Sequence, residues 1–257
     1  MKRIILFRYH NVDPAVVLER IVLLKKINPQ ISIYGLYGGI ESSFYYYRFL
    51  LDSHVAHNYC IKNKTDEWKW KNVDIAVLLW YNEIGRNLDF EMLHIIEWDV
   101  LILDSIDKLY RTIPQNGIGL TGLKELSKLF GKWYWVRDIY QCEQWNNLLQ
   151  YVQTKFNYKN IPFGSQGPGA CLPKSFLEGL SSIEIPELCN DEIRLPLFGQ
   201  ILGYNLYDTG FLNNWFETSE MNYFNCNKRQ INAHLINEEL SLKNGRRFFH
   251  PYYETVL

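Results

Sequence analysis

Glu97 and Asp99 are two carboxylates separated by one residue, Trp98. They follow a largely apolar run from Phe90 to Ile96, which reads as a strand. A non-helical turn just past a strand lets both side chains reach one hard cation. Mn²⁺ and Mg²⁺ prefer such oxygen ligands and bridge carboxylates to diphosphate. Acid-x-acid spacing is common on ordinary surfaces, so the position after the strand is what singles this pair out. In an open α/β sheet, ligands sit beyond the carboxyl ends of strands. Asp104 is a rival: it too follows an apolar run, Val100 to Leu103. An aspartate there could be a metal ligand or a phosphatase nucleophile.

Two further groups could do chemistry. Asp191 and Glu192 fall in the first turn of a helix expected up to Leu202. Acids there are usually favoured by the helix dipole alone, but a carboxylate so placed can also serve as a general base. His250 precedes Pro251 near the end of the chain, and a neutral imidazole is a frequent transition-metal ligand. The other histidines show no zinc-type spacing, and no GxSxG or Walker A string occurs.

These groups need elements to position them. Ile4 to Phe7 is an apolar run suited to a strand buried on both faces. Asp13 and Pro14 cap and start a helix that Asn28-Pro29 stops, and Ile31 to Tyr37 reads as a second strand. This opening βαβ unit predicts parallel pairing. A helix is expected over Ile75 to Tyr81 and another over Arg137 to Gln153. Pro196 interrupts the helix that begins at Asn190, and Tyr204 to Tyr207 reads as a strand. Residues 40 to 72 read as irregular and aromatic. Gly117, Gly119 and Gly122 mark a glycine-rich stretch, and Pro162 to Ala170 reads as a shaped loop. The tail from Asn213 to Leu257 carries no assignment.

Composition bounds the classes. The 257 residues are 47% apolar and 21% charged, which fits a folded chain rather than a disordered one. A net charge of −1 gives no support to nucleic-acid binding. No apolar run reaches the roughly 18 residues of a membrane helix, and the start is too short for a secretory core. The five unpaired-looking cysteines suit a reducing cytosol, so a cytoplasmic location is expected. Aromatic residues make up 16%; most must serve packing, yet a Tyr and Trp surplus also suits stacking of bases or sugar rings.

In their order, these parts resemble a GT-A type glycosyltransferase over about residues 3 to 210. Glu97-Trp98-Asp99 looks like the DxD motif of that family, with Glu in the first place. Asp191-Glu192-Ile193-Arg194-Leu195, running on to Gly203-Tyr204, looks like the acidic segment of its inverting branch, with the acids reversed. Gly169 to Lys174 looks like the segment closing the acceptor loop. The resemblance implies a single α/β domain over 1–257 with a Rossmann-like, mostly parallel sheet flanked by helices. Residues 1–110 would bind the nucleotide sugar and 111–257 the acceptor. It implies a metal-dependent, inverting transfer from a UDP- or GDP-sugar to a carbohydrate or other hydroxyl acceptor. Glu97, Asp99 and His250 would hold Mn²⁺ or Mg²⁺. Arg8, His10, Asp74 and Trp98 would contact the donor, and Asp191 or Glu192 would be the base. The loop from Phe163 to Gly169 would cover both substrates. Two other readings are a non-catalytic carbohydrate-binding protein and a Mg²⁺-dependent phosphatase using Asp104.

Overall fold

The computed structural model describes residues 1–256; Leu257, the last residue of the tail, lies outside the described residues. The chain runs β1 (Arg3–Tyr9), α1 (Pro14–Ile27), β2 (Ser32–Tyr37), α2 (Phe44–Leu51), β3 (His57–Cys60), α3 (Asp66–Lys71) and α4 (Val73–Glu83). Then come β4 (Met92–Glu97), β5 (Leu101–Ile102), α5 (Ile106–Leu109), β6 (Gly117–Glu125), α6 (Ile139–Phe156) and β7 (Phe163–Pro173). The remainder is α7 (Lys174–Ser181), α8 (Asp191–Ile201), β8 (Asn205–Asp208), α9 (Thr218–Met221), α10 (Ala233–Ser241) and β9 (Phe248–Phe249).

Seven strands form one sheet in the order β3-β2-β1-β4-β7-β6-β8, and β5 pairs with β9 in a separate ribbon. Strands β3, β2, β1 and β4 are parallel. β7 runs antiparallel to β4 and β6, and β8 is parallel to β6. The opening unit forms as its residues predict. Ile4 to Phe7 are buried on both faces of β1. The Asp13 carboxylate accepts from the Ala15 amide, Pro14 starts α1, and Asn28 ends it. The Asn28 side chain also accepts from the Ile106 amide, tying α1 to α5.

Three regions depart from the expectations. Residues 40 to 72 are ordered into α2, β3 and α3; α2 carries Tyr45, Tyr46 and Phe49 outward, so its apolar pattern does not mark its buried side. Gly117, Gly119 and Gly122 lie in β6. A Cβ on Gly119 would meet the Cys171 sulfur at 2.5 Å, so close packing against β7 demands the glycine. The expected loop from Phe163 to Gly169 is the first half of β7, a sheet strand rather than a cover. Its pairing with β6 is irregular, with register shifts between Gly119 and Thr121 and between Thr121 and Lys124. Pro168 and Gly169, the latter at φ +88°, carry the bulged backbone. Its carbonyls are still satisfied: Thr121 donates to Pro168 O and Tyr110 to Gly169 O. The proline and glycine signals were thus marks of an irregular strand.

One hydrophobic core fills both sides of the sheet. A second small cluster, Leu101, Ile231, Ile236, Phe249 and Tyr252, sits beneath the C-terminal segment. That segment is fixed to the strand end by the Tyr252 amide, which donates to Asp99 O at 2.8 Å.

Candidate active site

The strand order reverses between β1 and β4. β1 leads through α1 to β2 on one side, while β4 lies on the other. Ligands of open α/β sheets sit at such a switch point, beyond the carboxyl ends. Register puts Arg8 of β1 directly beside Glu97 of β4, and the guanidinium donates to Glu97 Oε1 at 2.7 Å. A second Arg8 nitrogen donates to Lys69 O at the end of α3. β4 pairs with β7 only as far as His94 with Cys171, although β4 runs on to Glu97. The carboxyl end of β4 is therefore unpaired on its β7 side.

Asp99 lies in the turn after β4. The C-terminal segment brings His250 to it, with Nε2 3.4 Å from Asp99 Oδ2. One ligand atom each from Glu97, Asp99 and His250 lies within 4.8 Å of the others. Asp99 Oδ1 is buried without a hydrogen-bond partner among the described residues. Two carboxylates, one imidazole and an unsatisfied buried oxygen fit a divalent cation of the Mn²⁺ or Mg²⁺ kind. The Asp99 and His250 ionisations are linked. Burial opposes the charged form of each, yet their mutual attraction wins, holding the carboxyl below its usual range and the imidazole well above. The Cys226 thiol also interacts with His250.

Trp98 turns away from the cluster. Its indole N–H donates to His10 Nε2 at 3.1 Å, and its ring stacks on Tyr253 at 5.5 Å. Burial, reinforced by Arg8, lowers the His10 pKa, which keeps the imidazole a neutral acceptor for that bond. Arg8, His10 and Trp98 thus line one rim beside the acidic group. Asp74 is placed elsewhere. It is 2% exposed, and both its oxygens take hydrogen bonds from Arg194 of α8, at 2.6 and 2.8 Å. Arg194 also donates to the Leu188, Cys189 and Lys71 carbonyls and to Asn72. Asp74 therefore anchors α8 against α4.

That anchor orients the acids at the start of α8. Asp191 is 5% exposed; burial, then Asp74 and Glu192, pushes its carboxyl well above the usual range. Glu192 is half-buried. Its Oε1 accepts from the Gly167 amide at 2.7 Å, and its Oε2 from Trp135 Nε1 and Asn190 Nδ2 at 2.8 and 3.0 Å. Burial pushes its pKa up to about 7 against those three donors, and the charge of Glu97 adds to the rise. The influence of Glu97 on Glu192 places the two acidic groups in one electrostatic neighbourhood.

Asp104 is not part of this group. Its carboxylate accepts from the Ser105 amide and pairs with Lys108 at 2.5 Å, holding the start of α5. Ser105 caps that helix, its side chain accepting from the Lys108 amide. Sequence reasoning missed Trp135, Asn190 and Gly167 as partners of Glu192, and Cys226 beside His250. The run Trp133-Tyr134-Trp135 was the available signal for the first.

No protein-family model matches the chain, and no curated protein matches it. Solved structures similar to it include the galactosyltransferase LgtC in complex with donor and acceptor sugar analogues. That likeness has TM-score 0.44 and 13% identity over 79% of this chain and 72% of LgtC. Mouse xyloside xylosyltransferase 1 gives TM-score 0.40 and 9% identity over 81% of this chain and 85% of that one. The mannosyltransferase PcManGT from Pyrobaculum calidifontis, in complex with GDP-Man and Mn²⁺, gives 0.43 and 13% over 80% of this chain and 54% of its own. Identities this low and superpositions this partial leave function to be read from the residues of this chain.

Proposed function

We propose that the protein transfers a sugar from a nucleoside-diphosphate donor, UDP- or GDP-linked, to a hydroxyl acceptor with the aid of Mn²⁺ or Mg²⁺. The observation that carries this reading is the Glu97, Asp99 and His250 group at the switch point of the sheet, with Glu192 in its electrostatic reach. Glu97, Asp99 and His250 would hold the cation, which when bound neutralises charge on a leaving diphosphate. Arg8 supplies a second positive charge beside Glu97, suited to a phosphate oxygen. His10 and Trp98 form the rim against which the donor lies.

Glu192 is the better base of the acidic pair. It is the more exposed of the two, and a carboxyl titrating near 7 accepts a proton efficiently at neutral pH. It takes the proton of the acceptor hydroxyl while Trp135, Asn190 and the Gly167 amide hold its orientation. Asp191, deeper and favouring its neutral form, sits behind it. Direct attack by that hydroxyl displaces the nucleoside diphosphate and inverts the anomeric centre.

The test is release of UDP or GDP from a panel of nucleotide sugars with Mn²⁺ or Mg²⁺, followed by NMR of the product's anomeric configuration. The reading requires release that chelation stops and a product of inverted configuration. No release from any donor rejects the activity, and a retained configuration rejects Glu192 as the base of a single displacement.

A further inference from the structure

Beside Glu192 the molecule exposes large aromatic rings that packing does not require. Trp135, whose indole N–H donates to Glu192 Oε2, has its ring centroid 5.2 Å from that of Trp70 and 4.9 Å from that of Tyr134. Trp70 is 56% exposed and Tyr134 47%. Trp70 is fixed at the site mouth by its neighbours in α3. The carbonyl of Lys69 accepts from Arg8, and the carbonyl of Lys71 accepts from Arg194. Its backbone thus bridges the metal side and the α8 side of the site.

An unsatisfied polar atom lies at the same place. Asn190, which donates to Glu192, has a buried Oδ1 with no partner among the described residues. Buried acceptors without donors are costly unless a ligand supplies the hydrogen. An apolar ring face beside an unfilled acceptor matches a pyranose, which offers a C–H face and a rim of hydroxyl donors.

Resting on the sugar-transfer reading above, we propose that Trp70, Trp135 and Tyr134 form the acceptor subsite. It takes the terminal sugar ring of a carbohydrate, with Asn190 Oδ1 accepting from one of its hydroxyl groups. The acceptor is thereby a glycan, rather than a serine hydroxyl of a peptide or a lipid alcohol. Stacking on the Trp70 face places a ring hydroxyl within reach of Glu192.

The experiment probes a glycan array with the intact protein, with GDP or UDP and Mn²⁺ present, and measures nucleotide affinity separately by calorimetry. Wild type should retain a defined set of glycans. Trp70→Ala should lower that retention about tenfold, the scale of one lost stacking contact. Trp70→Phe should restore most of it, and both variants should bind nucleotide as wild type does. Because Trp70 is exposed, its loss should leave the melting temperature unchanged. Retention of no glycan by wild type, or equal retention by Trp70→Ala, overturns the subsite. A Trp70→Ala variant that loses nucleotide affinity overturns it too, since the rings would then serve the base of the donor. Failure of wild type to bind any nucleotide would instead strike the sugar-transfer reading, and Trp70-dependent glycan retention would survive it.

Discussion

Glu192, the proposed base, shows how surroundings set the chemistry of a single residue. Three donors stabilise its charged form, yet burial outweighs them and moves its pKa up to about 7. As a base it must be deprotonated, so turnover at limiting acceptor should rise through about pH 7 and level off above it. Glu192→Gln should lose this limb, with activity down at least about 100-fold, the usual worth of a general base. A flat wild-type profile between pH 5.5 and 8.5 would contradict the assignment. The same shift has a stability consequence. A carboxyl whose folded pKa is raised binds its proton more tightly in the folded state, so stability falls as pH climbs from the ordinary carboxyl range to about 7. Glu192→Gln should therefore melt level with wild type near pH 4 and above it at pH 8, by up to about 3 kcal/mol. The sequence made Glu97, Asp99, Asp191 and Glu192 visible because acids after a strand and at a helix start stand out. It could not separate Asp99 from Asp104; the structure does, because Lys108 of α5 occupies Asp104 while the distant His250 comes to Asp99. Nor could it assign Asp74, whose partner lies 120 residues away.

Elements hold these residues in place, and the Asp74–Arg194 pair is the joint between α4 and α8. Both side chains are almost fully buried, and the guanidinium is bonded by five different groups. Asp74→Asn leaves a buried cation without its counter-charge, which costs about 3–5 kcal/mol. Urea unfolding should show that loss, and a change under about 1 kcal/mol would mean that the pair does not fix α8. The opening βαβ unit was legible because its signals are local: an apolar strand, an Asp-Pro start and an Asn-Pro stop. β6 and β7 were not. Their glycines and prolines answer to tertiary contacts, such as the Cys171 sulfur that excludes a Cβ at Gly119. The tail was illegible for a related reason. Its two-residue strand β9 exists only because β5, far upstream, offers an edge.

Across the whole molecule, the C-terminal segment completes the site, and α1 holds that segment. Arg20 is 1% exposed and donates to the carbonyls of Tyr252 and Glu254, while Glu19 accepts from the Val256 amide. These bonds flank Tyr253, which stacks on Trp98, and begin two residues beyond His250. Arg20→Ala should weaken Mn²⁺-dependent nucleotide binding about tenfold, as loss of an outer support for a metal ligand does, with Arg20→Lys intermediate. Equal affinity in all three proteins would detach the segment from the site. The central claim is that residues from β4, the following turn and the C-terminal segment jointly hold a cation that carries a nucleoside diphosphate. Calorimetric titration of UDP and GDP into wild type and Asp99→Asn, with and without Mn²⁺, tests it most directly. Wild type should bind one of them only with Mn²⁺, and Asp99→Asn should lose that binding while keeping its fold by circular dichroism. Metal-dependent binding that persists undiminished in a folded Asp99→Asn protein would contradict the account.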